Sequence, residues 1–230
     1  MMFMPLFKGK RILCIYVILS LVISSLTPLF LVVKAEDHSP VWIDENKDGD
    51  FDDGEWNGTS IQQAIENATD GVIIYVGNGT YEEAIIVDEE VTIRSEYGYE
   101  NTIIRSIPGE GENNLNAITI NSDNVTIENL TVTNGSIGIY IYNATNVTID
   151  GCNISLNLDG ICVNNSSDCS ITNCHSHNNS GHGVRLCRSY NCRVLNCISD
   201  HNGDNGITLD ASNYSLIENN TVYSNNRPFA

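Results

Sequence analysis

From residue 117 onward the chain restates one short phrase. Ala117, Ile118, Thr119 and Ile120 are followed by Gly138-Ile139-Tyr140-Ile141, Gly160-Ile161-Cys162-Val163, Gly183-Val184-Arg185-Leu186 and Gly206-Ile207-Thr208-Leu209. A second alternation follows each phrase, as in Val147-Thr148-Ile149 and Cys192-Arg193-Val194, and its apolar residues 127, 149, 171, 194 and 217 are spaced by 22, 22, 23 and 23. A period this short, built from strands of three or four residues, leaves no room for a βαβ unit or a propeller blade. It fits one turn of a parallel β-helix, in which every coil adds a rung of about 4.8 Å to each sheet. The repeat therefore predicts an all-β chain, a right-handed parallel β-helix with coils of about 22 residues.

Alternation sets the direction of each side chain. Ile139, Ile141, Ile161, Val163, Val184, Leu186, Ile207 and Leu209 are predicted to point inward, and Tyr140, Cys162, Arg185 and Thr208 outward. Asn129, Asn173, Asn196 and Asn219 recur at one place in the coil, with Gly151 in the same column. Asparagine and glycine tolerate the left-handed backbone of a tight turn, and this column is expected to form an asparagine ladder along the axis.

The residues before 117 read as capping structure. In residues 59–69, Ile61, Ala64, Ile65 and Ala68 make one helical stripe, and Thr59 with Gln62 has capping-box spacing. Such a helix would close the open end of the core. Residues 72–76, 84–87, 91–93 and 102–104 read as the first strands, and residues 106–116 as a projecting loop. The C-terminal residues Arg227, Pro228, Phe229 and Ala230 show no second capping helix, which leaves a fragment, a truncated gene or one half of an end-to-end oligomer as the expectations.

With the helix, Gly71-Val72-Ile73-Ile74-Tyr75-Val76 and Gly79-Thr80-Tyr81, the chain resembles the NosD-like branch of the pectin-lyase-like superfamily. The family's opening pattern is matched over most of residues 59–81, with Gly71-Val72-Ile73 replacing its usual Gly-Asp-Thr. The resemblance implies the β-helix fold. It implies no single activity, because the superfamily contains polysaccharide lyases, hydrolases, epimerases and surface proteins.

Lys8, Lys10 and Arg11 precede an apolar stretch over residues 12–33, and Val33-Lys34-Ala35 ends it with small residues. Residues 1–35 read as a secretory signal cleaved after Ala35, or as an uncleaved anchor, and either places the remainder outside the cell. The 230-residue chain has a net charge of −18, more negative still without that basic segment. Such a surface repels nucleic acid and anionic membrane. Membrane attachment is expected only through the N-terminal segment.

Residues 36–58 form an acidic lead-in. Asp44, Asn46, Asp48, Gly49, Asp50, Asp52 and Glu55 satisfy the calcium-loop pattern D-x-[DN]-x-[DN]-G-x5-E. Hard cations need several oxygen ligands around one turn, which this spacing supplies. Calcium is the expected cofactor, with a solvated acidic loop as the alternative. Asn57-Gly58 argues against an exiting EF-hand helix.

Cys152, Cys174 and Cys197 share one inward column, and Cys169 and Cys192 another. Parallel Cβ vectors on successive rungs are too far apart for disulfides, so interior ladders of free thiols are expected. Cys162 and Cys187 face outward in different columns and are predicted to stay unbridged. His175, His177, His182 and His201 cluster within two coils beside Cys187, Asp200 and Asp204. The resemblance to NosD, which is associated with copper-enzyme maturation, implies a soft-metal site there. The bland reading places His175 and His177 on an exposed polar turn.

Gly181-His182-Gly183, one coil after Asp159-Gly160, resembles the polygalacturonase hydrolases, whose glycine-flanked histidine lies near paired aspartates. The paired aspartates and the family's Arg-Ile-Lys are not matched. For lyase chemistry, calcium plus a basic residue, the chain offers Arg185, Arg188 and Arg193. His182, Arg185 and Asp159 are therefore the candidate catalytic residues. Sequons at Asn57, Asn67, Asn78, Asn124 and further on make glycosylation an expectation where the turn is open. The leading functional expectation is a secreted or cell-surface protein that recognises polysaccharide or cell-envelope material without catalysis. A polysaccharide lyase or glycoside hydrolase and a copper-related extracellular protein are the alternatives.

Overall fold

The computed structural model describes residues 39–226, except 53 and 108–114. The expected signal or anchor of residues 1–35 lies outside the described residues, as does most of the projecting loop at 106–116. Among the described residues no helix is long and apolar enough to cross a membrane.

Short strands stack into a parallel β-helix of about six turns, bounded by sheets of nine, seven and six strands. The register follows the repeat: Ile139 lies beside Ile161, Ile161 beside Val184 and Val184 beside Ile207. Stacking like on like turns each inward column into a continuous apolar strip. Ile127, Ile149, Ile171 and Val194 fill the strip of one sheet, and Ile104, Val132 and Ile154 that of another. Burying an aliphatic side chain in this way contributes about 1.5–3 kcal/mol.

The glycine that opens every repeat after the first, at Gly138, Gly160, Gly183 and Gly206, is a packing requirement. A Cβ on Gly183 would collide with the Ser199 hydroxyl and the Gly206 carbonyl of the next coil. Ser199 Oγ uses that space to donate to Gly206 O at 2.8 Å, and Ser176 Oγ donates to Gly183 O at 2.7 Å one coil earlier.

The amino-terminal end differs from expectation in three ways. First, Val41–Asp44 (β1) is a strand, placed antiparallel against Ile73–Val76 (β3) and flanked by Asn57–Gly58 (β2). The lead-in segment therefore contributes an added edge to the nine-stranded sheet, and Val41 and Ile43 join the core. Second, the helix is shorter than residues 59–69, spanning Ile61–Asn67 (α1) and burying Ile61, Ala64 and Ile65. Third, its cap is Ser60, not Thr59: Ser60 Oγ accepts from Gln63 N at 3.3 Å. Glu83 completes the cap from the next coil, accepting from Ile61 N at 2.8 Å and Gln62 N at 3.2 Å. A carboxylate suits the exposed amides of a helix start.

The column Asn129, Gly151, Asn173, Asn196 and Asn219 adopts the left-handed backbone throughout, with φ of 54–61°. Its side chains do not form the expected ladder, because Gly151 interrupts it and Asn173 Nδ2 donates to Asp150 Oδ1 at 2.7 Å. The ladder runs in another column, Asn157, Asn179 and Asn202, all buried, and the half-buried Asn225. There the Oδ1 of Asn179, Asn202 and Asn225 each accepts from the backbone and side-chain amides of the asparagine one coil earlier, and Asn157 Oδ1 accepts from Gly135 N. At the last described coil Ile207 is half-buried and Leu209 is exposed, unlike their counterparts in earlier coils, since no further rung covers them among the described residues.

Candidate functional site

The outer face of the six-stranded sheet carries two columns of outward side chains. Thr119, Tyr140, Cys162, Arg185 and Thr208 form one, and Tyr142, Asn164, Cys187 and Asp210 the other. Parallel register brings residues one coil apart to within a rung of each other. Tyr140 and Tyr142 stack with ring centroids 5.8 Å apart and planes inclined by 18°. Asn164 Nδ2 donates to the Tyr140 hydroxyl at 3.0 Å, which fixes the ring from the next rung. Arg185 Nη2 lies 3.8 Å from Asp210 Oδ2.

All three candidate catalytic residues lie on this side of the molecule. Asp159 Oδ1 accepts from the His182 backbone amide at 2.8 Å, and His182 Nε2 lies 3.6 Å from Asp204 Oδ2. The structure thus places two aspartates around His182 that do not pair in the sequence. Asp204 precedes its repeat glycine by two residues, and only the coil register shows that it reaches the histidine one turn back. Asp159 spends an oxygen on holding the His182 turn, so it acts as a positioning group there.

Three polar atoms on this face are buried without a partner: His182 Nδ1, Arg185 Nε and Thr208 Oγ1. Unsatisfied buried polar groups are uncommon and mark strain or a place completed by water or a ligand. Cys162 and Cys187 are buried despite pointing outward, and both thiols are free. Burial pushes the Cys162 thiol up to about 12, with Cys187 adding to the effect and Arg185 opposing it. It therefore stays protonated at neutral pH and is a poor nucleophile. The inward thiols Cys152, Cys174, Cys197, Cys169 and Cys192 are likewise buried and free, the ladders expected from their columns.

The calcium-like residues lie in the connection between β1 and β2. Asp44 is fully buried, and its carboxylate accepts from Lys47 N at 2.6 Å and Gly49 N at 2.9 Å. Glu55 closes the loop by accepting from Glu45 N at 3.0 Å and Asp52 N at 2.9 Å. Asn46 Nδ2 donates to Asp52 Oδ2 at 2.9 Å, Asn46 Oδ1 accepts from Asp48 N, and Asp48 Oδ1 accepts from Asp50 N. Gly49 has φ of 85°, the reversal that a glycine at the sixth loop position permits. The loop folds over the sheet, and Phe51 meets Trp42 edge-on at 5.9 Å while Trp42 stacks on Tyr75 at 4.5 Å. All the side-chain donors are oxygen, which fits calcium in chemistry.

His175 and His177 lie in a strand of the seven-stranded sheet and not in a turn. Their rings pack 4.2 Å apart. His175 Nε2 pairs with Asp200 Oδ1 at 2.5 Å, and His201 Nδ1 with Asp200 Oδ2. His177 Nε2 bonds Asn153 Oδ1 at 2.9 Å, and its Nδ1 bonds Asn178. Asp200 is buried, which disfavours its charge, but the two imidazoles hold its carboxyl below the usual range. Burial, followed by the neighbouring His175, lowers the pKa of His177. His182 stands apart on the six-stranded face. Among the described residues no three His, Cys, Asp or Glu side chains are placed together to hold a metal ion.

Comparison with known proteins agrees with this architecture. Over 87 residues the chain is 39% identical to a "Cell surface glycoprotein" of Methanothermus fervidus, a stretch covering 37% of this chain and 14% of that protein. The chain thus spans a small part of that relative's length. An alginate lyase from Paenibacillus sp. str. FPU-7 superposes with a TM-score of 0.56 at 21% identity, covering 70% of this chain and 72% of the lyase. The N-terminal fragment of bacteriophage Phi29 gene product 12 gives a TM-score of 0.62 at 20% identity, covering 71% of this chain and 34% of that one. At such identities both likenesses speak to the fold. The model of the family described as "Right handed beta helix region" matches residues 99–229, more than half of the sequence, and the chain belongs to that family.

Proposed function

We propose that this chain belongs to an exported cell-surface protein that recognises polysaccharide or cell-envelope material on the outer face of its six-stranded sheet, without cleaving it. The observation that carries the reading is the stacked, outward-facing Tyr140–Tyr142 pair, whose column continues two and three coils on to Arg185 Nε and Thr208 Oγ1, both buried without a partner. Aromatic rings with polar tips offer an apolar platform and a hydrogen-bonding rim at once, which suits a ring of CH and OH groups. The name of the Methanothermus fervidus relative supports the surface location, over the part of the chain that it matches. Within the β-helix family, residues 59–81 support the NosD-like branch.

Calcium enters the same reading as a staple. Asp44, Asn46, Asp48, Asp50, Asp52 and Glu55 would hold the ion only after their carboxylates draw together, since no three of these carboxylates are grouped for a metal as the loop stands, and the ion would then tie β1 and β2 together at the cap.

One observation favours a second reading. His182, held by Asp159 and approached by Asp204, has the residue types of a general acid–base group for glycoside hydrolysis. Incubation with acidic and neutral polysaccharides, with and without calcium, separates the two. Retention on one polymer with no new reducing ends or unsaturated products is the expected result. Cleavage that disappears in His182→Ala would establish the second reading, and neither retention nor cleavage would contradict both.

A further inference from the structure

At the capped end each of the three sheets stops at a terminal strand, and the three edges are closed differently. Gly79–Tyr81 (β4) ends the seven-stranded sheet, Ile85–Val87 (β5) the six-stranded sheet and β2 the nine-stranded sheet. The helix satisfies the edge of β5: Gln62 Oε1 accepts from Ile86 N at 2.8 Å, as a neighbouring strand would. The other two terminal strands pair on one side only, β2 with β1 and β4 with Thr102–Arg105. An edge of this kind is a template for pairing with another chain unless something covers it.

Both open edges carry an Asn-x-Thr sequon. Asn57-Gly58-Thr59 includes β2, and Asn78-Gly79-Thr80 leads into β4. Asn57, Thr59, Asn78 and Thr80 are all exposed, and neither asparagine has a left-handed backbone. Asn57 Oδ1 accepts from Ser39 N at 3.3 Å, but among the described residues neither Nδ2 nor either threonine hydroxyl makes a hydrogen bond. Thr59 and Thr80 line one groove of about 520 Å³ beside β4, so the two sequons open onto the same space. The sequons of the coils are blocked by comparison. Asn124, Asn134 and Asn146 are held in left-handed turns, and their Nδ2 atoms donate to Glu90, to Ser106 O and to Asn124. At Asn129 the Thr131 hydroxyl is spent on Tyr99 O, and at Asn213 the Ser215 hydroxyl is buried.

We infer that Asn57 and Asn78 are N-glycosylation sites of the folded protein, and that their glycans guard the two sheet edges that the helix leaves open. The inference shares with the reading above only the exported location and is independent of what the tyrosine face binds. In the transfer, Nδ2 bonds to the anomeric carbon of a polyprenyl-diphosphate-linked oligosaccharide while that carbon's bond to the phosphate oxygen breaks. The lipid diphosphate leaves with the bonding pair, and the amide gives one proton to a base of the transferase. A sequon serves only if the transferase can grip the amide and the hydroxyl two residues on together, which the coil sequons prevent. A bulky, hydrated glycan beside β2 and β4 then keeps a second chain from adding a strand.

The test incubates the folded, unmodified protein with a single-subunit oligosaccharyltransferase and its lipid-linked oligosaccharide, the transferase being one that modifies free peptides of all the sequons compared. Occupancy is read sequon by sequon by mass spectrometry. The mass of the glycan is expected on the peptides of Asn57 and Asn78 and not on those of Asn124, Asn134 and Asn146. Asn57→Gln and Asn78→Gln should each remove one glycan and leave the unfolding temperature unchanged. At equal concentration, light scattering should rise several-fold more slowly for the modified protein than for the unmodified one. Transfer to the coil sequons with Asn57 and Asn78 bare, or no transfer at all, would overturn the sites. Equal association of modified and unmodified protein would overturn the guarding role. The transfer is read without any polysaccharide, so its failure is separate from a failure of the surface reading.

Discussion

Asn179 Nδ2 donates to Asn202 Oδ1 at 3.0 Å across one coil, and neither residue is exposed to solvent. The same Asn202 oxygen also accepts from Asn179 N at 3.1 Å, and Asn179 Oδ1 does the same for Asn157. The amides thus satisfy backbone groups that the bend between two sheets would otherwise bury unpaired. Asn179→Ala removes an acceptor from Asn157 and a donor from Asn202 together. A loss of about 2–4 kcal/mol is expected in urea unfolding. Asn179→Asp, which adds a buried charge, should cost at least as much at neutral pH.

Glu83 closes the helix cap from outside the helix. Glu83→Ala should lower stability by about 1–2 kcal/mol, since it leaves the Ile61 and Gln62 amides and the Ser60 hydroxyl proton without their acceptor. Thr59→Ala, by contrast, should change little. Equal effects from the two substitutions in thermal unfolding would contradict the assignment of the cap.

Acid should destabilise the histidine patch. The pKa of His177 is lowered by burial and His175, so the unfolded chain binds its proton more readily. Stability from this group is present above the unfolded value of about 6.5 and declines as pH falls below it. Asp200 and His201 also face His177, Asp200 acting against the shift and His201 with it. The carboxyl of Asp200 is itself held low by His175 and His201, so its contribution persists above the unfolded carboxylate range and is lost as pH falls through the folded value. Unfolding temperature followed from pH 8 to pH 3 should fall in two stages. His177→Gln should flatten the upper stage and Asp200→Asn the lower.

Calcium binding at residues 44–55 would couple to Trp42, because Phe51 of the loop packs on that ring. Added calcium at a hundred times its dissociation constant should stabilise the fold by about 2.7 kcal/mol and alter tryptophan emission. Glu55→Gln should abolish both responses. An unfolding temperature indifferent to calcium and to chelator would mean that the carboxylates serve the loop's own amides and no ion.

The β-helix was legible in the sequence because its signal is arithmetic: apolar residues 22 or 23 apart must stack, and alternation tells which way each points. The left-handed turn column was legible for the same reason. The cap strand Val41–Asp44 was hidden because four residues beside an acidic motif carry no repeat, and their pairing with Ile73–Val76 is antiparallel. The buried asparagine ladder escaped because Asn157, Asn179 and Asn202 look like ordinary turn residues until their burial is known. At the candidate site, His182, Arg185 and Asp159 were visible through the repeat. Asp204 and Asp210 belong to the following coil, and their approach to His182 and Arg185 depends on side-chain direction, which spacing alone does not reveal.

The most direct test of surface recognition is the dissociation constant of a retained polysaccharide for wild type and for Tyr142→Ala. Tyr142 is exposed and packs on Tyr140, so its truncation should leave the core and the unfolding temperature unchanged. A roughly ten-fold or greater loss of affinity with intact stability is the predicted result. Undiminished affinity in Tyr142→Ala, and again in Tyr140→Ala, would contradict the assignment of the six-stranded face as the binding surface.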